Sequence, residues 1–123
     1  DGRTLLGYTA NNQQIQINTT TGAGFNPIPL TGYASGFSSG GAASIPHYTF
    51  VNSYATGEIG RVNTLTGAFT AIPSDTVNGD PLFFDIAYDG SSVWGITGGG
   101  VLYKVNVSTG TRTSIGSAGA FIN

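Results

Sequence analysis

Cysteine and methionine are both absent from this chain, which excludes a disulfide framework and any thiolate metal site. Charge is scarce as well. Asp, Glu, Lys and Arg make up 8% of the residues, against roughly 25% in an average globular domain, so hydroxyls and amides must carry the solubility. The four cations, Arg3, Arg61, Lys104 and Arg112, are scattered along the chain and the net charge is −2, which leaves no basic patch for nucleic acid. No run of about 18 apolar residues occurs, so no membrane span is expected. No secretory leader is visible, and a chain opening on Asp1 reads as processed or trimmed. Low Lys content, hydroxyl and amide richness and missing oxidisable sulfur together point to a secreted or cell-surface protein.

Against these absences stands a stretch that occurs three times. Val101, Tyr103, Val105 and Val107 fall on one face of an extended chain while Lys104 and Asn106 fall on the other, the period of a strand with one side buried. The run breaks on Asn106-x-x-Thr109-Gly110 and resumes at Thr111, and Ile15 to Gly22 and Ile59 to Gly67 repeat it. An Asn side chain bonds the backbone two residues on, and Gly takes the left-handed conformation without a Cβ clash, so each copy predicts a tight turn between two strands. Asn18-Thr19-Thr20 and Asn106-Val107-Ser108 match the N-glycosylation pattern, but the turn already accounts for Asn at both places.

Asn18 and Asn63 are 45 residues apart, and Asn63 and Asn106 are 43 apart. Periods near ~40–45 with several short strands per unit mark propeller blades. In the third copy Leu82–Tyr88 reads as a first strand, Asp89-Gly90 as a hairpin turn, Ser92–Thr97 as a second strand, and Thr111–Ile115 as a fourth after the repeated stretch. The fold expected is all-β, propeller-type, with about three four-stranded antiparallel blades of 43–45 residues. Blade 1 spans about 1–34 and lacks its first strand, blade 2 about 35–76, blade 3 about 77–118, with an extension at 119–123. In the middle copy Ser35 to Ser44 is largely Gly, Ser and Ala, compatible with an irregular inner strand or a mobile loop, and reads best as a loop-like edge. Trp94 stands 12 residues before Asn106, and the same offset selects Leu6 and Val51, which marks all three as core positions between blades.

Leu102-Tyr103-Lys104-Val105-Asn106-x-x-Thr-Gly, preceded by Asp85-Ile86-Ala87-Tyr88-Asp89-Gly90 and Trp94-Gly95-Ile96, resembles the repeat of secreted bacterial β-propellers. Their blades read D-h-A-x-D-x-x-x-L-Y-G-I and then L-Y-x-I-D-x-x-T-G-x-x-T-x-I-G. The resemblance covers the third copy and the last three strands of the other two, with Asn in place of the commoner Asp at the turn. What it implies is a fold, since many such families have no assigned activity.

Propellers close with ~4–8 blades, and a blade alone leaves an apolar face and strand edges open. Three blades less one inner strand therefore imply either a half-propeller completed by copies of itself or a portion of a longer propeller. Candidate chemistry is sparse. There is no G-x-S-x-G elbow, and Gly98-Gly99-Gly100 lacks the Lys and helix of a phosphate loop. The single His47 follows Ile45-Pro46 and reads as a strand-edge side chain. Inner-strand ends face a propeller's channel, which makes Asp80 and Asp85 the candidate ligands for a calcium ion. Trp94, Tyr88 and Tyr103 are the candidate platforms for a glycan, because aromatic faces suit that contact. The function expected is a non-catalytic structural and interaction module that needs no cofactor and self-assembles through open blade edges. The two other readings are a carbohydrate-binding propeller and half of a propeller enzyme whose site, from Asp80, Asp85, Glu58 and His47, forms at the assembled channel.

Overall fold

A computed structural model describes residues 4–32 and 39–119. Eleven strands follow one another without a helix among the described residues: β1 (Leu5–Thr9), β2 (Gln13–Ile17), β3 (Gly24–Pro29), β4 (Ser39–Ile45), β5 (Tyr48–Ser53), β6 (Ile59–Asn63), β7 (Phe69–Ala71), β8 (Phe83–Tyr88), β9 (Val93–Thr97), β10 (Val101–Val105) and β11 (Arg112–Ser117). They form three antiparallel meanders, β1-β2-β3, β4-β5-β6-β7 and β8-β9-β10-β11, here called blades 1, 2 and 3.

The three repeated turns share one hydrogen-bond scheme. The backbone N–H groups of Thr20 and Thr21 donate to Asn18 Oδ1, those of Leu65 and Thr66 to Asn63 Oδ1, and those of Ser108 and Thr109 to Asn106 Oδ1, all at 2.9–3.3 Å. Gly22, Gly67 and Gly110 then take φ of 76, 77 and 80°, a left-handed conformation that glycine adopts more readily than other residues. Each glycine N–H closes the turn on the Asn carbonyl. Asp75 builds a fourth turn of this kind, accepting from the Val77 and Asn78 N–H groups.

Two apolar layers separate the blades. Leu30, Val51, Val62 and Phe69 pack with Tyr8 between blades 1 and 2. Phe50, Ile59, Ile72, Phe83, Ile86, Val93 and Val105 pack between blades 2 and 3. Buried amides cross both seams: Gln14 Nε2 donates to the Thr64 carbonyl at 2.9 Å, and Asn52 Nδ2 to the Phe83 carbonyl at 2.8 Å. Alternation along β5 and β6 sends Val51 and Val62 towards blade 1 and Phe50 and Ile59 towards blade 3, so blade 2 is apolar on both faces, as a central layer requires.

Two expectations need correction. The stretch read as a loop-like edge contains β4, which pairs with β5 and lies against β8; its positions 35–38 fall outside the described residues. Pairing with β5, with a bulge between Ser39 and Ala42, and packing on β8 of the next blade organise a sequence whose Gly, Ser and Ala carry no period of their own. The second concerns Trp94. Its cross-strand partner is Lys104, and in blade 2 the matching partner of Arg61 is Phe50, not Val51. The loop between the paired residues Asn52 and Ile59 is one residue longer than that between the paired residues Ile96 and Leu102, and a slip of one residue moves a side chain to the other face. Trp94 therefore shares its position with Phe50 and, through the Leu6–Gln16 pair, with Leu6.

Candidate functional site

The corrected register defines what the terminal blades leave uncovered. Blade 2 meets blade 3 with Phe50, Asn52, Ile59 and Ile72; the same positions in blade 3 hold Trp94, Ile96, Leu102 and Gly116, with Ile115 as the extra residue of a β11 bulge beside Gly116. Phe50 is 4% exposed and Ile72 7%, whereas Ile115 is 52% exposed and Trp94, Ile96 and Leu102 are half-buried. Trp94, Ile96 and Leu102 line a shallow apolar cleft with Asp85 and Ala87, and the Lys104 ammonium stands 5.4 Å from the centre of the Trp94 ring. A face built to the pattern of a blade seam thus lies open to solvent. At one position it is more apolar than the seam it copies, since Ile96 stands where blade 2 has Asn52.

Blade 1 is open on its opposite side. Val51 and Val62 in blade 2, and Gly95 and Val105 in blade 3, face the preceding blade; the same positions in blade 1 are Gly7 and Ile17, flanked by Leu5 and Ile15. Val62 and Val105 are fully buried, but Ile17 is half-buried and Leu5 is 51% exposed.

The remaining candidates are scattered. Tyr88 packs on Phe50, ring centres 4.8 Å apart, and Tyr103 on Phe83 at 5.7 Å, so both belong to the seam between blades 2 and 3. Trp94 alone of the three aromatics lies on an open face, and its Nε1–H donates to Asp89 Oδ2 at 2.7 Å. That bond, ahead of N–H groups from Ser92 and Ser91, holds the Asp89 carboxyl well below the usual carboxylate range. Asp85 accepts from the N–H of Ile86 beside it. Asp80 Oδ1 lies 3.1 Å from Arg112 Nε and accepts the Asp75 N–H at 2.8 Å. Glu58 and Asp80 line one cleft, His47 lines another beside Gln14 and Thr49, and Asp85 a third. Among the described residues no three His, Asp or Glu side chains are placed to hold a metal ion. His47 itself sits in the Pro46-His47 turn joining β4 to β5 with φ of 68°, the position of a Pro-initiated turn that requires a left-handed residue.

A polar cluster not anticipated from the sequence joins blades 2 and 3. Arg112 is 1% exposed; its Nη1 donates to the carbonyls of Pro73 and Gly110, and its backbone N–H to Asp75 Oδ2 at 2.8 Å. Burial pushes the guanidinium down from its ordinary value, and Asp80 and Asp75 pull it back up. Donation from the Arg112 N–H, then from Asn78, holds the Asp75 carboxyl well below the usual range. The one local signal was Asp75-x-x-Asn78-Gly79, a variant of the repeated turn; nothing local linked it to Arg112.

No family model and no curated protein sequence matches the chain. Among solved structures it is similar to hydrazine synthase of Kuenenia stuttgartiensis, with a TM-score of 0.66 at 14% identity over 98% of this chain and 34% of that one. It is similar to PorZ, a bacterial surface component of the type-IX secretion system of Porphyromonas gingivalis, with a TM-score of 0.62 at 12% identity over 98% of this chain and 16% of that one. YCF48 bound to D1 peptide gives 0.66 at 16% identity over 95% and 40%. These neighbours are propeller-type proteins, and identities this low carry the fold alone. The chain is a three-sheet β-propeller portion that spans well under half the length of each of these structural neighbours.

Proposed function

We propose that this chain is a non-catalytic interaction module, secreted or on the cell surface, that self-assembles through its uncovered blade faces. One observation carries the reading: Trp94, Ile96 and Leu102 occupy the positions that Phe50, Asn52 and Ile59 fill in the covered seam, with Ile115 exposed at the bulge beside them. Full burial of one large apolar side chain contributes about 1.5–3 kcal/mol, so covering this face would be favourable by several kcal/mol before association costs. The chain's small charge, −2 in 123 residues, supplies little repulsion against association. PorZ is by its own description a surface component, and that supports the location proposed.

Light scattering of the isolated chain tests the reading. The expected mass is twice that of one chain or more, and Ile115→Lys, which puts a charge into the uncovered face, is expected to return it to one chain. A compact wild-type monomer at all concentrations would overturn the proposal.

A further inference from the structure

The two internal seams show which backbone groups a blade offers to the next. At the first seam, strand β3 leaves its sheet at Pro29, and the Pro29 carbonyl lies against Cα of Gly67, where a Cβ would collide with it. Thr31 then pairs with the outer strand of blade 2: its N–H donates to the Gly67 carbonyl and its carbonyl accepts the Phe69 N–H, at 3.0 and 2.8 Å. At the second seam the Pro73 carbonyl lies in the same way against Gly110. Arg112 N–H, the equivalent of Phe69 N–H, is met by the Asp75 carboxylate. Both turn glycines are buried. Each seam is thus directional, with the exit of the fourth strand of one blade seated on the Asn-x-x-Thr-Gly turn of the next.

The third turn, in blade 1, is built like the others but unoccupied. Gly22 has φ of 76°, is exposed, and nothing lies within 4 Å of a Cβ placed on it. At the other end of the molecule, Gly116-Ser117 in β11, opposite Leu102 and Val101, holds the position that Ile72-Pro73 holds beside Ile59 at the second seam, with Ile115 as the extra residue of a bulge just before it. One chain therefore carries both halves of the same interface, a receiving half around Gly22, Leu5 and Ile17 and an entering half around Ile115, Trp94 and Leu102.

We infer that a second copy of this chain docks head to tail, its Gly116-Ser117 exit seated on the Asn18–Gly22 turn and its Trp94 face on Leu5 and Ile17. The inference rests on the self-assembly reading and adds its polarity. Two copies joined by two such seams make a closed ring of six blades, within the ~4–8 of known propellers, and closure limits growth where the rotation allows it.

The test uses one variant in each half. Gly22→Asn places a Cβ where the entering carbonyl would sit, while Asn tolerates the left-handed backbone; Leu5→Lys, on an exposed side chain, checks the same half without touching the turn. Ile115→Lys disables the other half. Expected from mass measurement is that the wild type is at least twofold, each variant alone is reduced to one chain, and an equimolar mixture of Gly22→Asn with Ile115→Lys recovers a twofold species through the one intact seam. Full association of both Gly22→Asn and Leu5→Lys, or a mixture that stays monomeric, would overturn head-to-tail docking while leaving self-assembly standing. A monomeric wild type would overturn both.

Discussion

Asp75 shows how one side chain can replace a stretch of backbone. At the first seam the outer-strand N–H of Phe69 is satisfied by the Thr31 carbonyl; at the second, the equivalent N–H of Arg112 is satisfied by a carboxylate that also anchors its own turn. Because those donors favour the charged form, the Asp75 carboxyl is held low in the folded protein. In the unfolded chain it titrates near the ordinary value of about 3.9. Its stabilisation is then complete above that value, shrinks as the pH falls below about 4, and is lost below the folded pKa. Asp75→Asn is expected to lower stability at neutral pH and to flatten its decline between about pH 4 and pH 2, measured by urea unfolding across that range. Some slope is expected to survive, since Asp89 is also held low, by Trp94. An undiminished slope would place the acid sensitivity elsewhere. Arg112 and Asp75 stand 37 residues apart, so local pattern could show the turn and not the contact.

At the scale of elements, period-2 alternation and the Asn-x-x-Thr-Gly turns made the hairpins of blade 3 legible, because each is closed by residues within a few positions of one another. What escaped had no local period to announce it. β4 is a strand through its pairing with β5 and its packing on β8, and the position of Trp94 turned on one extra residue in a connection, which spacing to the Asn did not reveal. The face that carries Trp94 was consequently misread as a covered one. The seams also give the turn glycines two separable roles, backbone conformation and close approach. Gly22→Ala should show the first alone, about 1–2 kcal/mol for a left-handed alanine. Gly110→Ala adds a collision with the Pro73 carbonyl, and overpacking of this kind costs about 1–3 kcal/mol more. Denaturant unfolding of the two variants below the concentration at which chains associate is expected to rank Gly110→Ala clearly lower. Equal losses would mean that the seam yields without cost.

For the whole molecule, the proposed self-assembly would couple folding to the covering of the open faces by mass action. A species that binds the folded state and not the unfolded one raises the apparent stability with its concentration, and under the self-assembly proposed above that species is the chain itself. Each tenfold rise in concentration is worth 1.4 kcal/mol per interface pair, or about half that per chain, which for a domain of this size corresponds to a shift of about 2–4 °C in Tm. The wild type is expected to show that dependence in thermal unfolding, and Ile115→Lys to lose it while retaining the Tm of the dilute wild type, because Ile115 is 52% exposed and contributes little to either internal seam. The driving force is apolar, so the dependence should persist when salt is raised to about 1 M, where the Debye length falls to about 3 Å and exposed ion pairs are screened. A Tm that stays constant with concentration would mean that three sheets are stable with their end faces bare. A dependence that salt abolishes would assign the association to charge, leaving Trp94, Ile96 and Leu102 without the role that their positions in the repeat give them.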